Sequence, residues 1–386
     1  MSAGAARELR PVALASAGIG VIGVTFGMAR YGFGLLAPDI RTSFDLSSGA
    51  LGILAAASFV AYLATSVASG VLSARLGARA IVAAGGACAV AGMTAAGLAQ
   101  TPYVLFAGLL VGGASAGLVF PPFSDVVSRR LPIARRGRVL SAISSGTGWG
   151  VALAALVALV ADDWRTAWLA FALIAAAATG WALVVLPRRL APEHSNGVSQ
   201  LRPGWLLCPR SGPLLGGALM VGLASSVYWT FGVDLLAGEG GLSSTQSRTF
   251  LVVVGVASVG GSLSGDAVRR LGGRATFVLA LTAETAALLL LGLAPGHMGA
   301  AIVSAALFGA AYNVVLAVEA IWSSRVFGER PSAGLAATMV MNGLGFLVGP
   351  PVLGAVAEHT GYAAVFVAAA GLLLATTALA PREQLG

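Results

Sequence analysis

Three charged side chains lie inside long apolar runs of this sequence, where a charge is costly. They are Arg30, Glu284 and Glu319. An ionisable group in the middle of a membrane-spanning helix costs about 2.5 kcal/mol or more, so each is a candidate functional residue. The guanidinium of Arg30 offers five donors in a fixed fork that suits a carboxylate. Reversible protonation would let Glu284 or Glu319 carry a proton through an apolar layer.

Each of these residues also has a structural interpretation. At helical spacing, Arg30 shares one face with rings and small residues, namely Gly23, Phe26, Gly27, Phe33 and Gly34. This pattern predicts a groove for an anion or for the polar head of a substrate. The alternatives are that Arg30 pairs with an acidic residue, or that its side chain extends to the outer membrane surface. For Glu284 and Glu319 the alternative is a hydrogen-bonded structural role.

Aromatic and amide side chains in four of the apolar runs form a second set of candidates. They are Tyr31 and Phe33, then Tyr228 and Trp229, then Tyr312 and Asn313, and finally Thr338 and Asn342. A mostly apolar pocket with a few polar groups is typical of a small-molecule site. The alternative is that these side chains only pack and form hydrogen bonds between helices.

The composition indicates that these residues are positioned inside a lipid bilayer. Of the 386 residues, 57% are hydrophobic and only 10% are charged, against about 25% in an ordinary soluble domain. The net charge of +8 comes from arginines scattered between apolar runs, and the chain has no lysine. This pattern excludes a nucleic-acid binder. Cys88, Cys208 and the three histidines do not cluster, so we expect no metal site and no cofactor.

Twelve runs are long enough to cross the bilayer, which requires about 20 apolar residues each. They cover about 12–37, 48–72, 80–99, 102–127, 138–161, 164–187, 213–236, 247–268, 275–295, 299–322, 333–357 and 361–380. Lipid-exposed backbone must satisfy its own hydrogen bonds, so we expect helices. The sequence therefore predicts an all-α membrane protein with a six-helix bundle in 1–187, a cytoplasmic linker in 188–212 and a second six-helix bundle in 213–386. The alternative is a smaller bundle with some buried hairpins.

The distribution of arginine predicts the orientation. With the amino terminus in the cytoplasm, all arginines but Arg30, Arg41, Arg165 and Arg248 lie on or near the cytoplasmic side. Positive residues concentrate on that side of membrane proteins. We therefore expect both termini in the cytoplasm.

Two loops repeat one motif at a constant offset. Residues 70–79 and 265–274 both read G-x4-R-L-G-x-R, 195 positions apart. Other pairs of segments echo one another at offsets of about the same size, which indicates an internal duplication. Repeated six-helix halves are typical of transporters that rock about a central site.

These motifs resemble those of the major facilitator superfamily (MFS) over essentially the full chain. In the first loop Gly70, Leu72, Arg75, Gly77 and Arg79 match that family's motif, whereas its acidic position is Ala74 here and Arg269 in the second copy. The segment from Gly27 to Pro38 is similar to the YbfB/YjiJ-type bacterial subgroup. The resemblance implies a twelve-helix fold and secondary transport by alternating access.

The repeated loops also predict a cytoplasmic gate. We expect Asp125 to pair with Arg75 or Arg129, and Glu319 to pair with Arg270 or Arg325, in a latch that favours an outward-open state. The remaining gate candidates are Gly70, Gly77, Arg79, Gly265, Asp266, Gly272 and Arg274. The alternative is a set of solvated surface pairs, each contributing about 0–1 kcal/mol.

The sequence therefore predicts a secondary transporter in a bacterial cytoplasmic membrane. The first expectation is proton-coupled efflux of a small metabolite or drug-like compound by a monomer, and the alternative is transport of an organic carboxylate through Arg30. A non-transporting membrane sensor is a remote third alternative. We expect no enzymatic activity, because neither H-E-x-x-H nor G-x-S-x-G occurs, and no ATP-driven transport, because the G-x4-G-K-[ST] loop is missing. The expected partners are the substrate, protons and lipid, and no nucleic acid.

Overall fold

The computed structural model describes residues 11–187, 210–328 and 331–381. Most of the predicted linker therefore lies outside the described residues, as do both ends of the chain. We call residues 11–187 the first half and residues 210–381 the second half. Within these ranges the regular structure is entirely helical.

The first half contains seven α-helices in chain order. They are α1 (Pro11–Ile22), α2 (Gly32–Phe44), α3 (Ser48–Leu76), α4 (Ala78–Gly97), α5 (Pro102–Arg130), α6 (Ile133–Val160) and α7 (Trp164–Val185). A π-helical segment, Gly23–Met28, lies between α1 and α2, and the three together form one long span, Pro11–Phe44.

The second half also contains seven α-helices. They are α8 (Ser211–Gly238), α9 (Ser244–Ser258), α10 (Ser264–Leu271), α11 (Gly273–Leu293), α12 (Met298–Val326), α13 (Pro331–Thr360) and α14 (Tyr362–Thr376). A 3-10 segment, Val259–Leu263, separates α9 from α10.

The helices account for the predicted spans, with two departures. In the described residues, 11 helices are long and apolar enough to cross a membrane, and α9 with α10 makes a twelfth if the bent pair counts as one span. The first span is interrupted by its π-helical segment but remains one span, and the eighth span bends by 55°. The predicted all-α membrane architecture is confirmed.

The two repeated loops adopt the same backbone conformation. Gly77 has φ 83° and ψ 152°, and Gly272 has φ 81° and ψ 156°. Each glycine N–H donates at 2.9 Å to the carbonyl four residues earlier, on Ser73 and on Val268. A positive φ strains residues that have a Cβ, which explains why glycine occupies both positions.

Close backbone contacts join the two halves. Helix α3 packs against α13, α6 against α9, and α2 against α8. A Cβ added to Gly148 would lie 2.6 Å from the carbonyl oxygen of Gly255, and one added to Gly354 would lie 2.5 Å from that of Ser48. Only glycine permits such an approach, so the halves are tightly closed along these crossings.

The molecule has two distinct ends. We call the end where α7 finishes and α8 begins the linker end, and the end where α2 finishes and α3 begins the clamp end. The motif loops at Gly77 and Gly272 lie at the linker end. The turns 45–47, 161–163 and 239–243 lie at the clamp end.

Candidate functional site: an arginine in an aromatic cavity

A cavity of about 540 Å³ lies between the two halves. Its wall includes Ser141 and Leu335, which lie near the starts of α6 and α13 at the linker end. Arg30 and Tyr31 form its deep part. The cavity therefore extends from the linker end toward the middle of the molecule.

The guanidinium of Arg30 is enclosed by aromatic rings. Its central carbon lies 4.1 Å from the ring centre of Tyr62, 4.4 Å from that of Phe59, 5.1 Å from that of Tyr31, 5.5 Å from that of Phe26 and 5.6 Å from that of Phe346. Four rings belong to the first half and Phe346 belongs to the second. Ring faces attract a cation, so this cage partly replaces the lost hydration of the charge.

Arg30 has no acidic partner among the described residues. The residue is only 7% exposed, its Nε atom has no hydrogen-bond partner, and none of the described ion pairs includes it. A buried charge is ordinarily paired with an opposite charge or bound to a metal. The site therefore holds an uncompensated positive charge at the deep end of a cavity.

The π-helical segment positions this arginine. The Ala29 N–H donates to the carbonyl of Val24 at 2.9 Å, and the Tyr31 N–H donates to that of Phe26 at 3.2 Å. These bonds join residues that are five positions apart, whereas those of a regular α-helix join residues four apart. The residues that follow the segment are therefore rotated about the helix axis relative to a regular helix. Such segments are frequent at functional sites.

The predicted groove of glycines below Arg30 is wrong. A Cβ added to Gly27 would lie 2.6 Å from the backbone of Gly150 in α6, and one added to Gly23 would lie 3.1 Å from the carbonyl of Gly146. These glycines therefore bring α6 close to the first span. Phe26 is the member of the predicted face that remains beside the guanidinium.

The second half contributes polar side chains to the same wall. Glu319, Asn342, Thr338, Tyr312 and Asn313 all line the cavity. Oε1 of Glu319 and Nδ2 of Asn342 have no hydrogen-bond partner. Asn313 instead donates to the carbonyl of Ser258 at 3.0 Å, where α9 ends.

Four of the predicted site residues do not line the cavity. Trp229 stacks behind Tyr31 at 4.3 Å, and Phe33 is buried in the core. Tyr228 stacks on Phe308 at 3.7 Å and shares a 2.8 Å hydrogen bond with Ser304. Glu284 is fully buried and accepts a hydrogen bond from Ser225 at 3.0 Å, leaving its Oε1 without a partner.

Three rings of the cage were missed by the sequence analysis. Phe59 and Tyr62 lie in α3, and Phe346 lies in α13. Phenylalanine in an apolar span gives no signal of a binding role. The hydroxyl of Tyr62, within a long apolar run, was the one feature that could have marked this set.

Stacked rings close the cavity toward the clamp end. Tyr31 stacks on Trp229, and Phe59 stacks on Phe346 with ring centres 4.7 Å apart. The hydroxyls of Tyr31 and Tyr312 lie 3.4 Å apart. Each of these contacts joins the first half to the second, so the rings act as a partition above Arg30.

Charged residues fasten the halves together at the clamp end. Arg41 pairs with Asp234 at 3.0 Å, and Arg248 pairs with Asp39 at 2.8 Å. The Gly49 N–H donates to Oε1 of Glu358 at 2.9 Å. We call these three contacts the clamp. All of them join the first half to the second.

One of the predicted latch pairs, Asp125 with Arg129, is present at the linker end, and it lies within a single helix of the first half. Asp125 pairs at 2.7 Å with Arg129, four residues later in the same helix, and Asp266 likewise pairs with Arg269. Arg79 donates to the carbonyl of Leu186 at 2.9 Å, within the first half. Glu319 lies on the cavity wall.

The other gate candidates lie near the linker end. Four of them have exposed side chains, namely Arg75, Arg270, Arg274 and Arg325. Gly70 lies within α3, and Gly265 lies within α10.

Comparisons with known proteins point to one family. The family model described as "Uncharacterised MFS-type transporter YbfB" matches residues 22–380. A curated relative from Pseudomonas aeruginosa, "Transcription regulatory protein OpdE", is 26% identical over 308 residues, which are 75% of this chain and 74% of the relative. Human "Monocarboxylate transporter 11" is 30% identical over 233 residues, which are 58% of this chain and 46% of that protein.

Solved structures share the architecture. A point mutant of the nucleoside transporter NupG superposes with a TM-score of 0.81 at 13% identity, covering 94% of this chain and 98% of that one. A second structure of NupG gives a TM-score of 0.74, with 95% and 98% covered. At this identity the likeness establishes the fold alone. Since the family model covers nearly the whole sequence and the fold agrees with it, the chain belongs to the YbfB-type family of MFS transporters, multi-pass proteins of the membrane.

Proposed function

We propose that this protein transports organic carboxylates by alternating access, with Arg30 as the residue that binds the carboxylate. The observation that carries the proposal is the buried guanidinium without an acidic partner at the deep end of the cavity. A bound carboxylate would neutralise this charge through two parallel hydrogen bonds. The substrate would thus supply the acidic partner that the described part of the chain lacks.

The rest of the cavity suits the body of such a substrate. Its volume of about 540 Å³ lies within the range of small-molecule sites. The rings of Phe26, Tyr31 and Tyr62 line the cavity and offer apolar contact beside the charge. The similarity to a human monocarboxylate transporter supports the same substrate class.

We infer that the linker end faces the cytoplasm of a bacterial cell, with both termini on that side. The concentration of arginine in the loops of that end supports this orientation. The two halves then correspond to bundles in 1–187 and 213–386 joined by a cytoplasmic linker. The clamp is closed and the cavity extends to the linker end, which supports an inward-facing state.

Glu284 and Glu319 are the proposed proton sites. Both are buried in the second half, and each has one carboxyl oxygen without a partner. Glu319 lines the cavity, so it is the residue that could exchange a proton with the cavity.

Uptake into proteoliposomes tests the role of Arg30. We expect Arg30→Gln to raise the KM for carboxylates by about 10- to 100-fold, because a hydrogen bond to a charged group contributes about 1.5–3 kcal/mol. The matched control is Arg138→Gln, which removes the same charge from an exposed position in α6. Equal KM values for Arg30→Gln and the control would refute a role of Arg30 in carboxylate binding.

A pH gradient tests proton coupling separately. We expect an imposed gradient to drive carboxylate accumulation by the native protein, and an ionophore that collapses the gradient to abolish it. Glu319→Gln should retain substrate exchange but lose accumulation, whereas Asp45→Asn, at an exposed carboxyl of the clamp end, should retain both. Gradient-driven accumulation by Glu319→Gln equal to that of the native protein would exclude Glu319 as the coupling residue.

Two further functions are kept as alternatives. Efflux of a neutral hydrophobic compound fits the apolar wall but leaves the charge of Arg30 without a partner. A sensory role is suggested by the description of the Pseudomonas relative as a transcription regulatory protein. A sensor would bind carboxylates with no uptake into proteoliposomes, so the same preparation distinguishes these alternatives from transport.

A further inference from the structure

Three polar side chains on the cavity wall are almost completely buried, and each has one atom without a hydrogen-bond partner. Arg30 from the first half is 7% exposed, and Glu319 and Asn342 from the second half are 2% and 7% exposed. The atoms without a partner are Nε of Arg30, Oε1 of Glu319 and Nδ2 of Asn342. The two sides of the cavity thus both offer polar groups that nothing in the described protein satisfies.

This lack of partners is not general for the wall. Ser145 and Asn313 line the same cavity, and their side chains donate to the carbonyls of Ala142 at 2.7 Å and Ser258 at 3.0 Å. A buried polar group without a partner destabilises the protein unless a ligand or water satisfies it. Three of the eight buried side-chain atoms without a partner in the described residues lie on this one cavity, which is the arrangement expected of a site that is completed by its ligand.

We infer that the transported carboxylate carries a second polar group, a hydroxyl or carbonyl oxygen, which Asn342 binds. The inference rests on the proposed function and narrows its substrate class to hydroxy and oxo acids with an apolar or aryl body. Such a molecule places its carboxylate on Arg30, its body against the rings, and its second oxygen on the amide of Asn342. One substrate then contacts both halves.

The arrangement also determines selectivity. Binding sites that are built to form a hydrogen bond discriminate strongly against analogues that lack the group, because the buried protein atom is then left unpaired. An acid without the second oxygen would engage Arg30 but leave Asn342 unsatisfied. The polar contacts of this acid would then be to the first half alone.

Equilibrium binding to the purified full-length protein tests this inference. The ligands are 3-phenylpropionate, 3-phenyllactate and phenylpyruvate, which share an aryl body and a carboxylate and differ in the second oxygen. We expect the hydroxy and oxo acids to bind about tenfold more tightly than the plain acid. Equal dissociation constants for all three ligands would overturn the inference.

Substitutions assign the preference to a residue. Asn342→Leu should reduce the tenfold preference to about one while changing the affinity for 3-phenylpropionate by less than about twofold. Ser115→Ala, which removes a buried hydroxyl from α5 away from the cavity, should preserve the preference. If the leucine disturbs folding, Asn342→Ala is the second variant. The comparison of the three acids on the native protein tests the inference without either substitution. A preference that survives in Asn342→Leu or Asn342→Ala would also overturn the inference.

The same series separates the two proposals. Arg30→Gln should weaken binding of all three acids by a similar factor. If the acids bind in an Arg30-dependent way with no preference, the inference about Asn342 fails and the proposed function stands. If none of the acids binds, the proposed function fails as well.

Discussion

The four arginines outside the main arginine-rich side have different roles in the structure. Arg41 and Arg248 form ion pairs between the halves, Arg165 stacks over the ring of Trp164 at 4.2 Å, and Arg30 faces the cavity. The sequence identified all four as exceptions. It could not identify their partners, because Asp234 and Asp39 are 193 and 209 residues away from the arginines that they bind.

Asp163 gives a prediction about stability and pH. Its carboxylate caps α7 by accepting a hydrogen bond from the Thr166 N–H at 2.7 Å, and this bond lowers the pKa of Asp163 by stabilising the charged form. The stabilisation is therefore complete above the ordinary carboxyl pKa of about 4, and it is lost as the pH falls through the lowered value.

We expect Asp163→Ala to lower the free energy of unfolding by about 0.5–1 kcal/mol at pH 7, a low value for a cap because the residue is exposed. Thermal unfolding of the detergent-purified protein at pH 7 and in acid measures this change in stability. The difference from the native protein should shrink in acid, and Asp162→Ala, at the exposed neighbouring position, should show less effect. An unchanged difference in acid would contradict the assignment.

At the scale of helices, the spans were predictable because each is long, apolar and bounded by polar residues. The interruptions were not. Gly23–Met28 has the sequence of an ordinary apolar helix, and in the structure it lies close against α6 at Gly150. The bend at Val259–Leu263 has no clear sequence signal either, and the amide of Asn313 from α12 binds the carbonyl of Ser258 just before it.

The interruption of the first span accounts for one error in the site. A regular helix would have placed Arg30 and Phe33 on one face, but residues 29–31 form a turn between the π-helical segment and α2, so Arg30 lines the cavity while Phe33 is buried in the core. Tyr31, Tyr312, Asn313 and Asn342 line the cavity as their polar groups suggested, whereas Tyr228 and Trp229 turn into the packing of the second half. None of the lining residues belongs to α8, and whether a helix reaches the cavity is decided by packing between helices that no single helix encodes.

The crossing of α3 and α13 gives a prediction at the same scale. A Cβ added to Gly52 would overlap the backbone carbonyl of Pro350. We expect Gly52→Ala to prevent full closure of the clamp end, and so to favour the state in which that end is open. The control is Gly371→Ala in α14, where an added Cβ meets no atom within 4 Å.

Thiol labelling measures this change. The reporter is Thr230→Cys, a buried position in α8 next to the crossing with α2, in a protein whose Cys88 and Cys208 are replaced by serine. An impermeant maleimide applied from the clamp side should label the reporter faster in Gly52→Ala than in Gly371→Ala. Equal rates would show that this crossing does not limit opening.

At the scale of the whole molecule, the clamp and the stacked rings hold one side shut while the cavity extends to the other. The clamp pairs bury Asp234 more than Arg41, with 5% and 40% of the side chains exposed. Without the carboxylate of Asp234, the partly exposed guanidinium of Arg41 would be solvated by water, so the effect on closure should be modest. The ion pair of Arg248 and Asp39 would remain.

We therefore expect Asp234→Asn to speed labelling of Thr230→Cys by about fivefold, corresponding to about 1 kcal/mol of lost closure. Adding Arg248→Gln should increase the rate further, because both ion pairs are then removed. High salt should speed labelling of the native protein toward the rate of the single variant, since exposed charges are screened. A rate in the double variant equal to the native rate would exclude the clamp as a lock.

Because no acidic residue in the described part of the chain pairs with Arg30, the unloaded carrier differs in charge from the loaded one at this position. A substrate with one negative charge cancels that of the guanidinium, so the loaded form changes state with little net movement of charge at this position. When the unloaded form changes state, its positive charge moves through part of the membrane potential. Moving a full charge across 100 mV changes the free energy by about 2.3 kcal/mol. The membrane potential would then change the rate of the return step and not the rate of the step that carries the substrate.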